Sequence, residues 1–329
     1  MKINFLTQSP HAACSQFYSN AFKNYPVNGM EFAFYDYEFK NDYDVILLMT
    51  YDAHTISRVR KASPKSKIGI IDPRGDEVLE FVKQADFLVV DSLEMIDFWA
   101  KANLPIFKFA EYPDIPIRKR KDPPTDRFIV GYHGNKVHLE SSWNTAMSAL
   151  SELSDRIKKP VEFKVTYSSA FTEPDRSELW YPKNCDVKYV PWNANVYHNF
   201  LSDCHVGIVP NNLPTQIMKR EEGTKRWNYK DDDYTIRFKM PSNAGRGIIF
   251  GLLGIPIVTD FFPSGIELVT ASAGGFAACS SAGWLTHLSD LSNDYVNDKM
   301  GKNLFDYVRQ QYNFMTQINT FQYFLTAIT

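Results

Sequence analysis

The chain alternates short, uninterrupted apolar runs with longer segments whose apolar residues recur every three or four positions. Apolar runs bounded by polar turns read as strands covered on both faces, because a strand flanked by helices has no solvated side to show. In the first third these runs are Ile3–Thr7, Met30–Tyr35, Val45–Thr50, Lys67–Ile71 and Phe87–Val90. Helical periodicity fills Ala12–Phe22, His54–Lys61 and Leu93–Ala102 between them. Strands separated by helix-length segments predict a parallel sheet with right-handed crossovers.

The pattern breaks at Asp114–Asp126, which is rich in proline and charge and has little to bury, as expected of a linker. A second series then follows. Strands are expected at Phe128–Tyr132, Val161–Tyr167, Val187–Val190, Val206–Val209 and Ile255–Thr259, with helices near Glu140–Leu153 and Ala194–Ser202. Met218–Lys239 interrupts the series with a dense run of charges and reads as an exposed insertion. The tail, Asn303–Thr329, is helical and aromatic. The expected organisation is an α/β protein of two doubly wound, Rossmann-like domains facing a cleft. The first spans 1–113, the linker 114–126 and the second 127–312, with a final helix, 313–329, packing back on the first domain.

At 329 residues the chain is long for one domain. Its 44% hydrophobic and 15% aromatic content can fill two cores. A net charge of −2 gives no nucleic-acid footprint. Cys14, Cys185, Cys204 and Cys279 show no paired spacing, so neither a disulfide framework nor a zinc cluster is expected. The start reads as a strand rather than a leader, and no apolar run reaches the roughly 18 residues of a spanning helix. The expected location is the cytoplasm. Arg118–Lys121 would allow peripheral contact with the inner face of a membrane, or serve simply as a charged linker.

The stretch Lys239–Asp260 carries the most chemistry. A polar loop with Ser242 and Asn243 precedes a short apolar helix, Gly254 and Pro256 stop it, and a buried strand follows. Unpaired helix-start amides, Arg246 and Lys239 together suit a diphosphate, although an ordinary capped helix reads the same way.

Four segments, in order, resemble the donor domain of GT-B-fold glycosyltransferases, especially the large retaining family that uses nucleotide sugars. They are Ile129–Gly134, Val190–Trp192, Asp203–Pro210, and the Ser-Asn-x-x-Arg segment with Gly254–Val258. The resemblance implies transfer of a sugar from a nucleotide donor to a hydroxyl of a glycan or lipid-linked acceptor, in surface polysaccharide or glycoconjugate synthesis. It implies retention of configuration, no cofactor and no metal. Gly134, Asn135, Lys136, Trp192, Asn211, Lys239, Ser242, Asn243 and Arg246 are the expected donor contacts, with Asn212 beside Asn211 as a sugar contact or turn residue. Two acidic positions of the family are missing: Ile249 and Pro241 stand in their places. Those losses keep open a catalytically silent nucleotide- or glycan-binding module; a nucleotide-sugar epimerase of the same fold is a third, weaker alternative. In the first domain His11, Asp72 and Arg74 follow strands at the expected cleft and are the expected catalytic groups. Asp231–Asp233 reads as a solvated turn, not a metal motif.

Overall fold

The computed structural model describes residues 1–11, 13–39, 42–49, 53–73, 82–112, 115, 120–211 and 243–329. Arg74, Asn212, Asp231–Asp233, Lys239, Pro241 and Ser242 lie outside these residues, as do the 218–239 insertion and Arg118 and Lys119 of the basic linker run.

Two six-stranded, fully parallel sheets form the frame. The first contains β1 (Lys2–Thr7), β2 (Glu31–Phe34), β3 (Val45–Met49), β4 (Lys67–Ile71), β5 (Phe87–Val90) and β6 (Ile106–Lys108). Their order is β2-β1-β3-β4-β5-β6. Helices α1 (Ala13–Asn24), α2 (Ala53–Ala62) and α3 (Leu93–Trp99) supply crossovers. Every residue of β3 is buried, which is why its sequence is a continuous apolar run instead of an alternating one.

The second sheet contains β7 (Phe128–His133), β8 (Val161–Thr166), β9 (Asp186–Tyr189), β10 (Val206–Val209), β11 (Ile257–Asp260) and β12 (Gly275–Ala278). Their order is β12-β11-β10-β7-β8-β9. Its helices are α4 (Lys136–Ser141), α5 (Ala146–Ile157), α6 (Tyr197–Leu201), α7 (Gly245–Leu252), α8 (Pro263–Ser272) and α9 (Ser281–Asp290). The strand order reverses between β1 and β3 in one sheet and between β7 and β10 in the other. Each reversal sends the two flanking loops apart and leaves a crevice at the strands' carboxyl ends.

The expected helix at 140–153 is instead two, α4 and α5. Ser141 and Ser142 turn their hydroxyls back onto the carbonyls of His138 and Leu139, and the chain leaves the helix there. Gly254 ends α7 as expected, with φ of +71° and its amide on Gly251 O at 2.9 Å.

The tail is also two helices, α10 (Asp294–Gln311) and α11 (Phe314–Ile328), the second started by Asn313, whose side chain accepts from Met315 N and Thr316 N. α11 lies on the first sheet. Phe321 packs on Phe107 at 5.1 Å and on Phe22 at 6.1 Å, and Phe324 meets Phe87 at 5.6 Å. Gln317 accepts the amide of Ala110 at 2.8 Å. One continuous apolar core therefore runs from β1 through α11 to α7 and α10. It fixes the two sheets against each other, and with them the crevices. No helix among the described residues is long and apolar enough to cross a membrane.

Candidate functional site

The second crevice opens between the loop after β7 and the loop after β10, and α7 begins beside both. Gly134 leaves β7 with φ of +139°, a conformation open to glycine and rare for other residues. A Cβ there would come within 2.8 Å of Arg246 Cδ and 3.0 Å of the Tyr132 hydroxyl. Arg246, in the first turn of α7, therefore fills the space that a side chain at 134 would take. Its Nη1 donates to Pro210 O at 2.8 Å and its Nη2 to Asn211 Oδ1 at 2.5 Å, both on the loop after β10. The guanidinium lies 5.9 Å from the Tyr132 ring. One arginine thus joins both sides of the switch point.

Charges around it are set by burial. Burial weakens the proton affinity of Arg246, while Tyr132 and Asp260 act the other way. The Tyr132 phenol is pushed up to about 12 by burial and donates to Asn135 O at 2.5 Å. His133 is pushed down to about 3, first by burial and then by the Arg246 charge, so its imidazole is neutral. Its Nε2 lies 3.3 Å from Arg246 O. Behind Asn211 stands Asp260, buried at the end of β11. It accepts from Asn211 N at 2.6 Å and from Trp284 Nε1 at 3.3 Å.

The other expected donor contacts divide. Asn135 caps α4 through Val137 N at 3.2 Å and is itself exposed. Lys136 is buried and ion-paired to Glu178 at 2.7 Å, from the loop between β8 and β9. Burial raises Glu178, but its bonds to Lys136 and Trp180 outweigh that and keep it ionised. The lysine expected to reach a phosphate is therefore already neutralised by a carboxylate. Trp192 is half-buried, 5.7 Å from the ring of Tyr197, with its amide on Tyr167 O. Asn243 lies just before the N-cap of α7, Ala244, and turns its Oδ1 onto Gly245 N at 2.9 Å. Ile249 is fully buried in the core and faces no cleft.

In the first domain His11 is exposed on the loop after β1. Asp72 is fully buried beyond the end of β4, at φ of +51°. It joins Asp91 and Glu111 in a group whose carboxylate oxygens lie within 4.8 Å of one another. These are the carboxylates among the described residues spaced to share a cation. Asp91 also accepts from Asn243 Nδ2 at 2.8 Å, so the group borders α7 of the second domain. Beside it Glu94 accepts from the hydroxyl and the amide of Ser264, at the start of α8. Lys108 pairs with Glu267 at 2.8 Å across the same seam.

Sequence reasoning missed Asp91, Glu94, Glu178 and Asp260. For Asp91 and Asp260 a signal existed, since each directly follows or ends a predicted strand, where site residues gather in such sheets. For Glu94 and Glu178 none did, because their partners lie far along the chain.

The two facing parallel-sheet domains constitute a GT-B fold. The chain is similar to HepE from Anabaena, solved in complex with UDP and glucose, with a TM-score of 0.66 and 14% identity over 99% of this chain and 100% of that one. TarM from S. aureus, solved with fondaparinux, alpha-GlcNAc-glycerol and UDP, matches at 0.61 and 9% identity over 88% of this chain and 57% of its own. A UDP-forming alpha,alpha-trehalose-phosphate synthase from Burkholderia xenovorans matches at 0.52 and 12% identity, over 88% and 75%. No protein-family model and no curated protein matches the chain.

Proposed function

We propose that the protein is a glycosyltransferase that moves a sugar from a nucleotide donor, of the UDP class, to a hydroxyl of a glycan or lipid-linked acceptor. The observation that carries this reading is the Arg246 fork, braced by Pro210 O and Asn211 Oδ1 over the start of α7 at the strand-order reversal. Solved structures of the same fold hold UDP or UDP-glucose, which supports a diphosphate as the occupant.

The chemistry follows from charge. When the glycosidic bond to the donor breaks, the nucleoside diphosphate leaves with added negative charge. The amides at the start of α7 lack intrahelical partners and the helix end is positive, so the leaving group is stabilised there. Arg246 spends two of its five N–H donors on Pro210 and Asn211 and is thereby held in place, so no reorganisation is needed at the moment of transfer. Lys239 and Ser242 are proposed to add to this cradle. Trp192 is proposed to lie against the base and Asn211 beside the sugar. The positive helix end and guanidinium make a metal unnecessary for the leaving group. Retention of configuration is proposed, with Asp72 acting from the first-domain side; a role for the product in surface polysaccharide or glycoconjugate assembly goes with it.

A second reading, a silent nucleotide- or glycan-binding module, is favoured by one observation. Ile249 is sealed in the core where the retaining pattern has an acid, so that helix turn offers a donor no polar side chain. Incubation with a panel of nucleotide sugars and a hydroxyl acceptor separates the two: transfer or donor hydrolysis supports the enzyme, and binding without turnover supports the module.

A further inference from the structure

Asn243 holds the two domains in one hydrogen-bonded line. Its Oδ1 accepts from Gly245 N at 2.9 Å, inside the first turn of α7, and its Nδ2 donates to Asp91 Oδ2 at 2.8 Å. Asp91 belongs to the other domain: it follows β5, is 4% exposed, and enters no helix. The chemistry of the pair is one-directional. An ionised carboxylate only accepts, so it takes the amide's NH2 end and forces the carbonyl end toward Gly245 N–H. With the amide reversed, NH2 would face N–H and carbonyl would face carboxylate, and both contacts would be lost.

Packing reinforces the arrangement. A Cβ on Gly245 would lie 2.5 Å from Glu111 O, so the segment leaving the first domain presses directly on the first turn of α7. Arg246 is the next residue, and its backbone carries the fork to Pro210 and Asn211. A shift of the first turn therefore moves the guanidinium.

We propose that Asp91 is a positioning residue of the diphosphate site: by fixing the Asn243 amide it sets the first turn of α7 and the aim of Arg246, so that the cradle of the second domain is completed by the first. The assignment takes the nucleotide-diphosphate reading of α7 as its premise. It makes donor affinity depend on a residue that touches no donor atom.

The test uses the full chain with Asp91→Ala, Asn243→Ala and the double variant. Hydrogen exchange is followed at the α7 amides, and UDP affinity is followed by calorimetry. Loss of one hydrogen bond to a charged group predicts UDP binding weakened about tenfold for Asp91→Ala. Faster exchange in the first turn of α7 is expected, with exchange in α9 unchanged. The double variant should be no weaker than Asn243→Ala alone, because Asp91 acts through that amide. Asp91→Asn, which still offers an oxygen to Asn243, should recover part of the affinity. Parent-like exchange and affinity in Asp91→Ala would overturn the assignment, as would a double variant whose losses simply add. A parent chain that binds no UDP overturns the premise instead, and unaltered or altered exchange, which needs no ligand, tells the two failures apart.

Discussion

Gly134 and Arg246 occupy each other's space: a Cβ on the glycine would come within 2.8 Å of the arginine's Cδ. Gly134 follows β7 and Arg246 lies in the first turn of α7, more than a hundred residues later, so the contact ties the loop after β7 to the helix that begins beside the crevice. It explains why a positive φ is kept there, and why the guanidinium has one available course, toward Pro210 O and Asn211 Oδ1.

Gly134→Ala should accordingly injure the site more than the fold. Forcing a side chain into that backbone region costs about 1–3 kcal/mol. The clash also displaces Arg246. Urea unfolding should show the loss of stability, and UDP affinity by calorimetry should fall in parallel. An alanine variant with parent UDP affinity would show that Arg246 does not need the space.

The buried histidines give a pH dependence with a definite sign. His133 is pushed down to about 3 and His205 to about 4, each chiefly by burial, and His205 Nδ1 accepts from Ile129 N at 2.9 Å. The unfolded chain binds protons at these positions near pH 6.5 while the folded chain does not, so stability is lost as pH falls below that value. From pH 7 to pH 5 the loss should be about 2 kcal/mol for each histidine. Glu94, raised by burial, contributes in the opposite direction, losing stability as pH rises through its folded value. Chemical unfolding at pH 7 and pH 5 checks the sum, and His205→Gln, which keeps an acceptor and cannot titrate, should flatten the slope.

The first-domain assignments make a contrast. Asp72 sits in the carboxylate group that borders α7 through Asp91 and Asn243, whereas His11 is exposed. Asp72→Asn should lower transfer at least tenfold with UDP affinity retained. His11→Ala should leave the rate near that of the parent. General-base loss would instead cost about 10²–10⁴-fold. A loss of that size confined to His11→Ala would reverse the assignment and favour inversion.

Much of the frame was legible in the sequence because parallel strands covered by helices leave continuous apolar runs, as Val45–Met49 does. Such a pattern has no rival reading once helical segments separate the runs. Two edge strands escaped it. β6 has three residues, and β12 is Gly-Phe-Ala-Ala, whose composition signals no strand; it pairs only because β11 offers its open edge. At the site, the glycine after β7 and the arginine of α7 could be read from local chemistry. The fate of Lys136 could not, since a lysine after a glycine loop looks free until Glu178 closes on it from another loop. The seam between the domains was equally hidden: Asp91 with Asn243 and Glu94 with Ser264 are pairs that only the packing of two sheets brings together.

Stabilisation of a departing nucleoside diphosphate by Arg246 and the start of α7, without a metal, is the proposed step to test. Its most direct measurement is release of UDP from a panel of UDP-sugars with a hydroxyl acceptor, in EDTA, by the parent chain and by Arg246→Ala and Arg246→Lys. The parent should transfer sugar and release UDP at the same rate with or without EDTA. Arg246→Ala should lose about 1.5–3 kcal/mol of UDP binding and most of its turnover. Arg246→Lys should recover little, since a single ammonium cannot bridge Pro210 O and Asn211 Oδ1 as the planar fork does. UDP release that EDTA abolishes would point to a cation at Asp72, Asp91 and Glu111, and release that persists undiminished in Arg246→Ala would remove α7 from the chemistry; either result would contradict the account.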